Sequence, residues 1–200
     1  MQKHKKLGKF FQFGPTFRGG NHGLELQNPE QILLPGRLLL GPPIGKRGFL
    51  PYPEVPQFRP AKKEYDRPPR DLEQYDHYWL VSQRLKDVLT TVDPDGVAFA
   101  DCLVTYISGK PIEPRHYLCD VIRVIDALDE PASTVRFDYE QGIKLYDLSR
   151  THSLIFDETV VGNAHIFRQA GMGGVIGDAF LRTACINAGI KDPHLFWDLS

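Results

Sequence analysis

Proline crowds the beginning of this chain and limits what that part can become. Eleven of the 16 prolines and 9 of the 18 glycines fall within the first 75 of 200 residues. A proline in a helix interior removes a backbone donor and clashes with the preceding turn, at a cost of about 3 kcal/mol, so sustained helix is excluded over most of this stretch. The stretch is not a simple polar linker either. Phe10, Phe11, Phe13, Phe17, Ile32, Leu33, Leu34, Leu38, Leu39, Leu40, Phe49 and Leu50 all need somewhere to be buried. Residues 1–75 therefore read as a basic, extended arm, packed on or flexibly attached to a domain of residues 76–200. Polyproline-type chain from Pro51-Tyr-Pro-Glu-Val-Pro to Pro68-Pro69 leads into that domain. The competing reading of the arm is a solvent-exposed tail.

From Tyr78 onward the pattern becomes regular. Ser82 is placed to cap a helix in which Leu85, Val88, Leu89 and Val92 recur at i, i+3, i+4 and i+7, and Asp93-Pro94-Asp95-Gly96 then forces a turn. A strand is predicted over residues 97–107. Leu118, Val121, Ile122, Ile125 and Leu128 predict a second helix that ends near Asp129-Glu130-Pro131. Residues 134–139, 143–146, 154–156 and 165–169 have the β-branched or aromatic character of short strands. Asp178 is placed to cap a third helix, with Leu181, Ala184, Cys185 and Ala188 on its apolar face and Gly189 as its stop signal. Residues 195–197 read as a final strand. The segments 82–99 and 178–196 share a cap, a four-position stripe, an Asp-Pro turn and a closing strand, which is a weak internal repeat. The expected fold is α+β, mostly antiparallel sheet with about three helices, behind the Pro/Gly-rich arm.

The net charge of -1 hides an asymmetry: residues 1–75 carry +6 and residues 76–200 carry -7. The whole chain has no electrostatic pull toward nucleic acid or anionic lipid, but its two parts differ in what they attract. Cys102, Cys119 and Cys185 are widely spaced and set among apolar residues, which suits buried reduced thiols and a cytoplasmic home. The basic N-terminus is not followed by the apolar region and cleavage site of an export signal. No apolar run approaches the ~20 residues of a membrane-spanning helix, so no membrane partner is expected.

Catalytic constellations are hard to find. Gly171-Met-Gly173-Gly174-Val-Ile-Gly177 suggests a dinucleotide loop, but the third glycine of G-x-G-x-x-G would fall at Ile176. It also lacks the Lys-Ser/Thr of a phosphate-binding loop, so it reads as a strand-to-helix connection. His4, His22, His77, His116, His152, His165 and His194 show no metal-ligand spacing, although folding could bring His152, His165 and a carboxylate together. No serine lies in a nucleophile elbow and no cysteine in an electropositive setting. The expected catalytic, cofactor and metal sites are therefore none. Lys3, Lys5, Lys6 and Lys9 among Phe10, Phe11 and Phe13 could grip a nucleic-acid strand by charge and stacking, and the arm could equally extend onto a neighbour in a larger assembly. Asp126, Asp129, Glu130, Asp157 and Glu158 lie at turns and element ends, where carboxylates are usually solvated. Their functional reading is a negative surface that docks a basic partner, with Arg168 as an internal counter-charge.

Several longer strings are recognisable. Tyr78-Trp-Leu-Val-Ser-Gln-Arg-Leu-Lys-Asp-Val-Leu89, then Asp95-Gly-Val-Ala-Phe99, resembles the opening of a bacterial immunity-protein family of polymorphic toxin systems, the MXAN-type family numbered eleven. Ile125-Asp-Ala-Leu-Asp129, Phe156-Asp-Glu-Thr-Val-Val-Gly162 and His165-Ile-Phe-Arg168 resemble its later blocks, and the Asp178 helix with Leu195-Phe-Trp197 its ending. The resemblance covers residues 76–200 and leaves out the arm. It implies a cytoplasmic antidote that binds a cognate toxin protein and blocks it, with no catalytic residues to transfer. For a nuclease toxin, the acidic domain would suit a basic active site.

Overall fold

Tyr78-Trp-Leu-Val81 is apolar at every position, as a strand covered on both faces must be. In the computed structural model it lies inside a sheet. The structure describes residues 9–15, 23–32, 46–140, 142–148, 153–190 and 194–199. Lys3, Lys5, Lys6, Phe17, Leu33, Leu34, Leu38, Leu39, Leu40, His4, His22, His152 and the Asp192-Pro193 turn lie outside them.

In chain order the first strands are β1 (Phe10–Phe13), β2 (Leu24–Leu26), β3 (Gln57–Pro60), β4 (Leu72–Tyr75), β5 (Tyr78–Ser82), β6 (Val97–Asp101) and β7 (Leu103–Val104). They are followed by β8 (His116–Val121), β9 (Val124–Ile125), β10 (Arg136–Glu140), β11 (Ile143–Asp147), β12 (Ile166–Gln169), β13 (Val175–Asp178) and β14 (Phe196–Asp198). The α-helices are α1 (Pro29–Ile32), α2 (Gln83–Val92), α3 (Glu158–Val161) and α4 (Ala179–Asn187). These strands make a five-stranded sheet of order β14-β1-β13-β12-β9, a four-stranded sheet β4-β5-β8-β6, a three-stranded sheet β2-β3-β7 and the hairpin β10-β11. Among the described residues, all strand pairings are antiparallel except β12 with β9 and β3 with β7. The fold is α+β and mostly antiparallel, as expected.

Strand alternation sorts the core into layers. Trp79, Val81, Tyr117, Cys119 and Val121 face one way from the four-stranded sheet, toward Phe13, Ile166 and Val175 of the five-stranded sheet and the apolar stripes of α2 and α4. Tyr78, Leu80 and Leu118 face the other way, onto Ile32, Phe58, Val104 and Ile112. The far side of the five-stranded sheet carries Phe10, Phe167 and Ile176, covered by Ala127, Leu154, Phe156 and Val161. Among the described residues of the arm, Phe10, Phe13, Ile32 and Phe58 thus belong to the core. β1 lies between β13 and β14, and the Phe13 ring meets Trp79 edge-to-face at 5.5 Å.

Both anticipated caps are in place. The Ser82 hydroxyl accepts from the Leu85 N–H at 3.2 Å, and the Asp178 carboxylate from the Leu181 N–H at 2.8 Å. The two helices of the weak repeat pack against each other, each entered from a strand through its cap residue.

The predicted helix through Leu118 and Leu128 does not form. Residues 116–121 are the fully buried β8, paired with both β5 and β6. A strand buried on both faces is apolar at odd and even positions alike, so any three- or four-residue spacing can be picked out of it. Residues 154–156 are not a strand; only the flanking bridges Thr134–Ser153 and Leu128–Phe156 form there. Residues 170–174 join β12 to β13, so the glycine segment is a strand-to-strand turn that runs into β13, and α4 follows β13 directly.

Two buried carboxylates tie the layers together. Asp120 on β8 accepts from Arg47 and the Gly48 N–H of the arm, both at 2.9 Å, and from Arg168 of β12 at 3.3 Å. Asp93, at the C-terminus of α2, accepts from Arg123 and from the N–H groups of His165 and Ile166 at 2.8 and 3.1 Å. Both are deeply buried, where a charge is tolerated only when so surrounded.

Replacing Asp93 with alanine leaves the Arg123 charge and two N–H groups without their acceptor. The expected loss is about 3–5 kcal/mol, read as a lower midpoint in urea denaturation. The three thiols are buried, and burial pushes those of Cys102 and Cys185 up to about 12. Native protein is therefore expected to resist thiol-specific alkylation at neutral pH and to take up three labels once unfolded, which mass spectrometry reads directly.

Candidate protein interface

The five singled-out carboxylates come from two loops that the fold lays side by side. The Asp129 N–H donates to the Ile155 carbonyl and the Asp157 N–H to the Ala127 carbonyl, both at 2.8 Å. Asp126, Asp129, Glu130 and Asp157 line one surface depression of about 430 Å³ with Pro131 and Val160, and Glu158 is the next residue along. Residues 31 positions apart thereby form one acidic face.

Each of these carboxylates also has work inside the fold. Asp126 accepts from the Gln169 amide at 2.7 Å, and the same amide's oxygen accepts from the Ala127 N–H. Asp129 closes a turn by accepting from the Ala132 N–H. Asp157 caps α3 through the Thr159 hydroxyl and N–H, which hold its pKa below the usual carboxylate range. Glu158 pairs with Lys9 at 2.5 Å.

Glu130 fastens the β10–β11 hairpin to this face. It accepts from the Lys144 ammonium and, at 2.5 Å, from the Tyr146 hydroxyl. Those two bonds lower its pKa, Lys144 contributing most, while burial and the Glu130 bond raise that of Tyr146. A second tie is the Tyr146 N–H, which donates to the Gly171 carbonyl at 3.0 Å. Gly171 has φ +72°, and a Cβ there would stand 2.5 Å from the Lys144 carbonyl oxygen. Gly171 thus serves the close approach of the hairpin.

All five residues of β10 are exposed. Register pairs Phe137 with Tyr146 and Tyr139 with Lys144, so these four share one face of the hairpin. Phe137 is 45% exposed and Tyr139 63%. The sequence expectation placed strands here without recognising the aromatic face. Its signal is Arg136-Phe-Asp-Tyr-Glu140, aromatic and charged residues in strict alternation.

Elsewhere the expectations fare differently. Phe10, Phe11 and Phe13, which would have to stack bases, are buried. Arg168 is the counter-charge of buried Asp120, not of the surface acids. The His165 Nδ1 is held at 2.8 Å by Asp178, the residue that caps α4, and the His165 ring stacks on Phe180. Among the described residues no group of three or more His, Cys, Asp and Glu could hold a metal ion, and no helix is long and apolar enough to cross a membrane.

Comparison with known proteins identifies one family. The sequence profile of the immunity protein family (Imm11) matches residues 9–198. The match takes in residues 9–75, which the resemblance read from the sequence had left out, in keeping with the place of β1 inside the five-stranded sheet. No curated protein matches the chain.

The lowered Glu130 pKa fixes a sign. Its stabilisation is fully present above the ordinary glutamate range and is lost as the pH falls through the lowered value. Glu130→Gln is therefore expected to speed amide exchange in β10 and β11 at neutral pH. The difference from the parent should shrink as the medium becomes acidic, as hydrogen exchange with mass spectrometry would record.

Proposed function

The chain belongs to the Imm11 immunity protein family, and on that premise we propose that it binds a cognate bacterial toxin in the cytoplasm and neutralises it by steric occlusion. The family match, which spans residues 9–198, carries this reading. The activity is binding, with no chemical step.

The acidic face supports it. Asp126, Asp129, Glu130, Asp157 and Glu158 are assigned to the toxin-facing surface. Residues 126–158 hold eight carboxylates against three basic side chains. Such a field speeds encounter with a basic partner and penalises acidic ones. A nuclease fits this description, because an enzyme that grips phosphates has a basic substrate channel. A bound antidote there excludes the substrate by volume and by charge. The alternative of a nucleic-acid-binding or scaffold subunit rests on the basic arm. It draws less support, since the arm's aromatic residues at positions 10, 11 and 13 are in the core.

Co-expression with the product of the neighbouring toxin gene is expected to give a stoichiometric complex on size exclusion and to rescue the host from that toxin. Absence of both the complex and the rescue would overturn the proposal.

A further inference from the structure

Among the described residues, the aromatic face of the β10–β11 hairpin has no counterpart in the core. Phe137 and Tyr139 lie on a two-stranded platform, fastened at its base by Glu130 and Gly171 and exposed along β10. Large aromatic rings presented on a pre-ordered backbone are the side chains that most often carry binding energy between proteins.

The platform also shows what chemistry it accepts. The Lys144 ammonium lies 3.9 Å from the centre of the Phe137 ring and pairs with Glu130. One cation is thus already held between an aromatic face and a carboxylate of this surface. Tyr139 is opposite Lys144 in register and is the most exposed of the hairpin's rings, with Asp138 and Glu140 on either side in sequence. Resting on the toxin-binding reading, we infer that the hairpin face is the anchor for the toxin and that it seats a lysine or arginine side chain of that protein against Tyr139.

Charge selects this occupant over the others. Residues 126–158 are acidic by five, which repels the phosphates of a nucleic acid. A second copy would bring the same acidic face against itself, because a two-fold interface pairs identical patches. A basic protein loop meets an attractive field and a ring on which a cation is stabilised.

The test uses the full chain and the product of the neighbouring toxin gene, with affinity and association rate measured at several salt concentrations. Tyr139→Ala is expected to weaken binding on the order of tenfold or more, while Tyr139→Phe, which keeps the ring, stays close to the parent. The double variant Asp138→Asn with Glu140→Gln is expected to slow association and flatten its salt dependence. Ile186→Ala, on exposed α4, serves as the control and is expected to bind as the parent does. Thermal melting confirms that each variant is folded, which the exposure of these positions favours. If the parent binds the toxin and Tyr139→Ala binds it equally well, the anchor is overturned and the toxin reading survives. Failure of the parent itself to bind removes both. Binding of a labelled single-stranded oligonucleotide, or a dimer of this chain, that Tyr139→Ala abolishes would also overturn it.

Discussion

The carboxylate of Asp120 is the joint on which the fold depends. It belongs to the most enclosed strand, β8, and its three partners come from two other places: Arg47 and Gly48 from the proline-rich arm, Arg168 from the five-stranded sheet. Hydrophobic burial brings layers together but is indifferent to their register. A buried charge is not, because losing a partner costs several kcal/mol while shifting by one residue turns it to the opposite face. Burial and the nearby Arg47 charge both weaken the Arg168 guanidinium's hold on its proton, so the cluster needs its carboxylate. Asp93 repeats the device at the end of α2, where Arg123 and the N–H groups of His165 and Ile166, at the start of β12, converge.

Much of this was legible in the residues, and where it was not the reason is physical. Ser82 and Asp178 announced their helices because a cap is a local interaction, complete within four residues. Gly189 has φ +78° and ends α4 as a stop glycine should. β8 resembles a helix in sequence because two covered faces erase the alternation that distinguishes strand from helix. β1 was unreadable for another reason. Lys-Phe-Phe-Gln-Phe says only that something must cover the rings, and its partners lie more than 160 residues away in β13 and β14.

The acidic face shows the same division. Its members could be named from the sequence because each lies at a turn or helix start, where carboxylates are expected. Their convergence could not, because it depends on the bridge between Leu128 and Phe156 and the paired loop bonds around it. The aromatic hairpin escaped because a strand with no buried face looks, in one dimension, like a strand with one. Phe137 and Tyr139 alternate with Arg136, Asp138 and Glu140 as in a half-buried strand, and only the fold leaves all five residues of β10 exposed.

In the proposed complex, the internal work of the carboxylates decides how their face would act on the toxin. Asp126, Asp129, Glu130, Asp157 and Glu158 each already accept a bond from a side chain or backbone group of this chain. A carboxylate retains spare lone pairs after one such bond, and its charge is cancelled only where its partner is a cation, as at Glu130 and Glu158. These residues therefore contribute chiefly a fixed, pre-oriented field, strong at a distance and modest in contact. Such a field governs how fast and in which orientation a partner arrives. Holding it there requires desolvated contact area, and next to this field the exposed rings of the hairpin offer it.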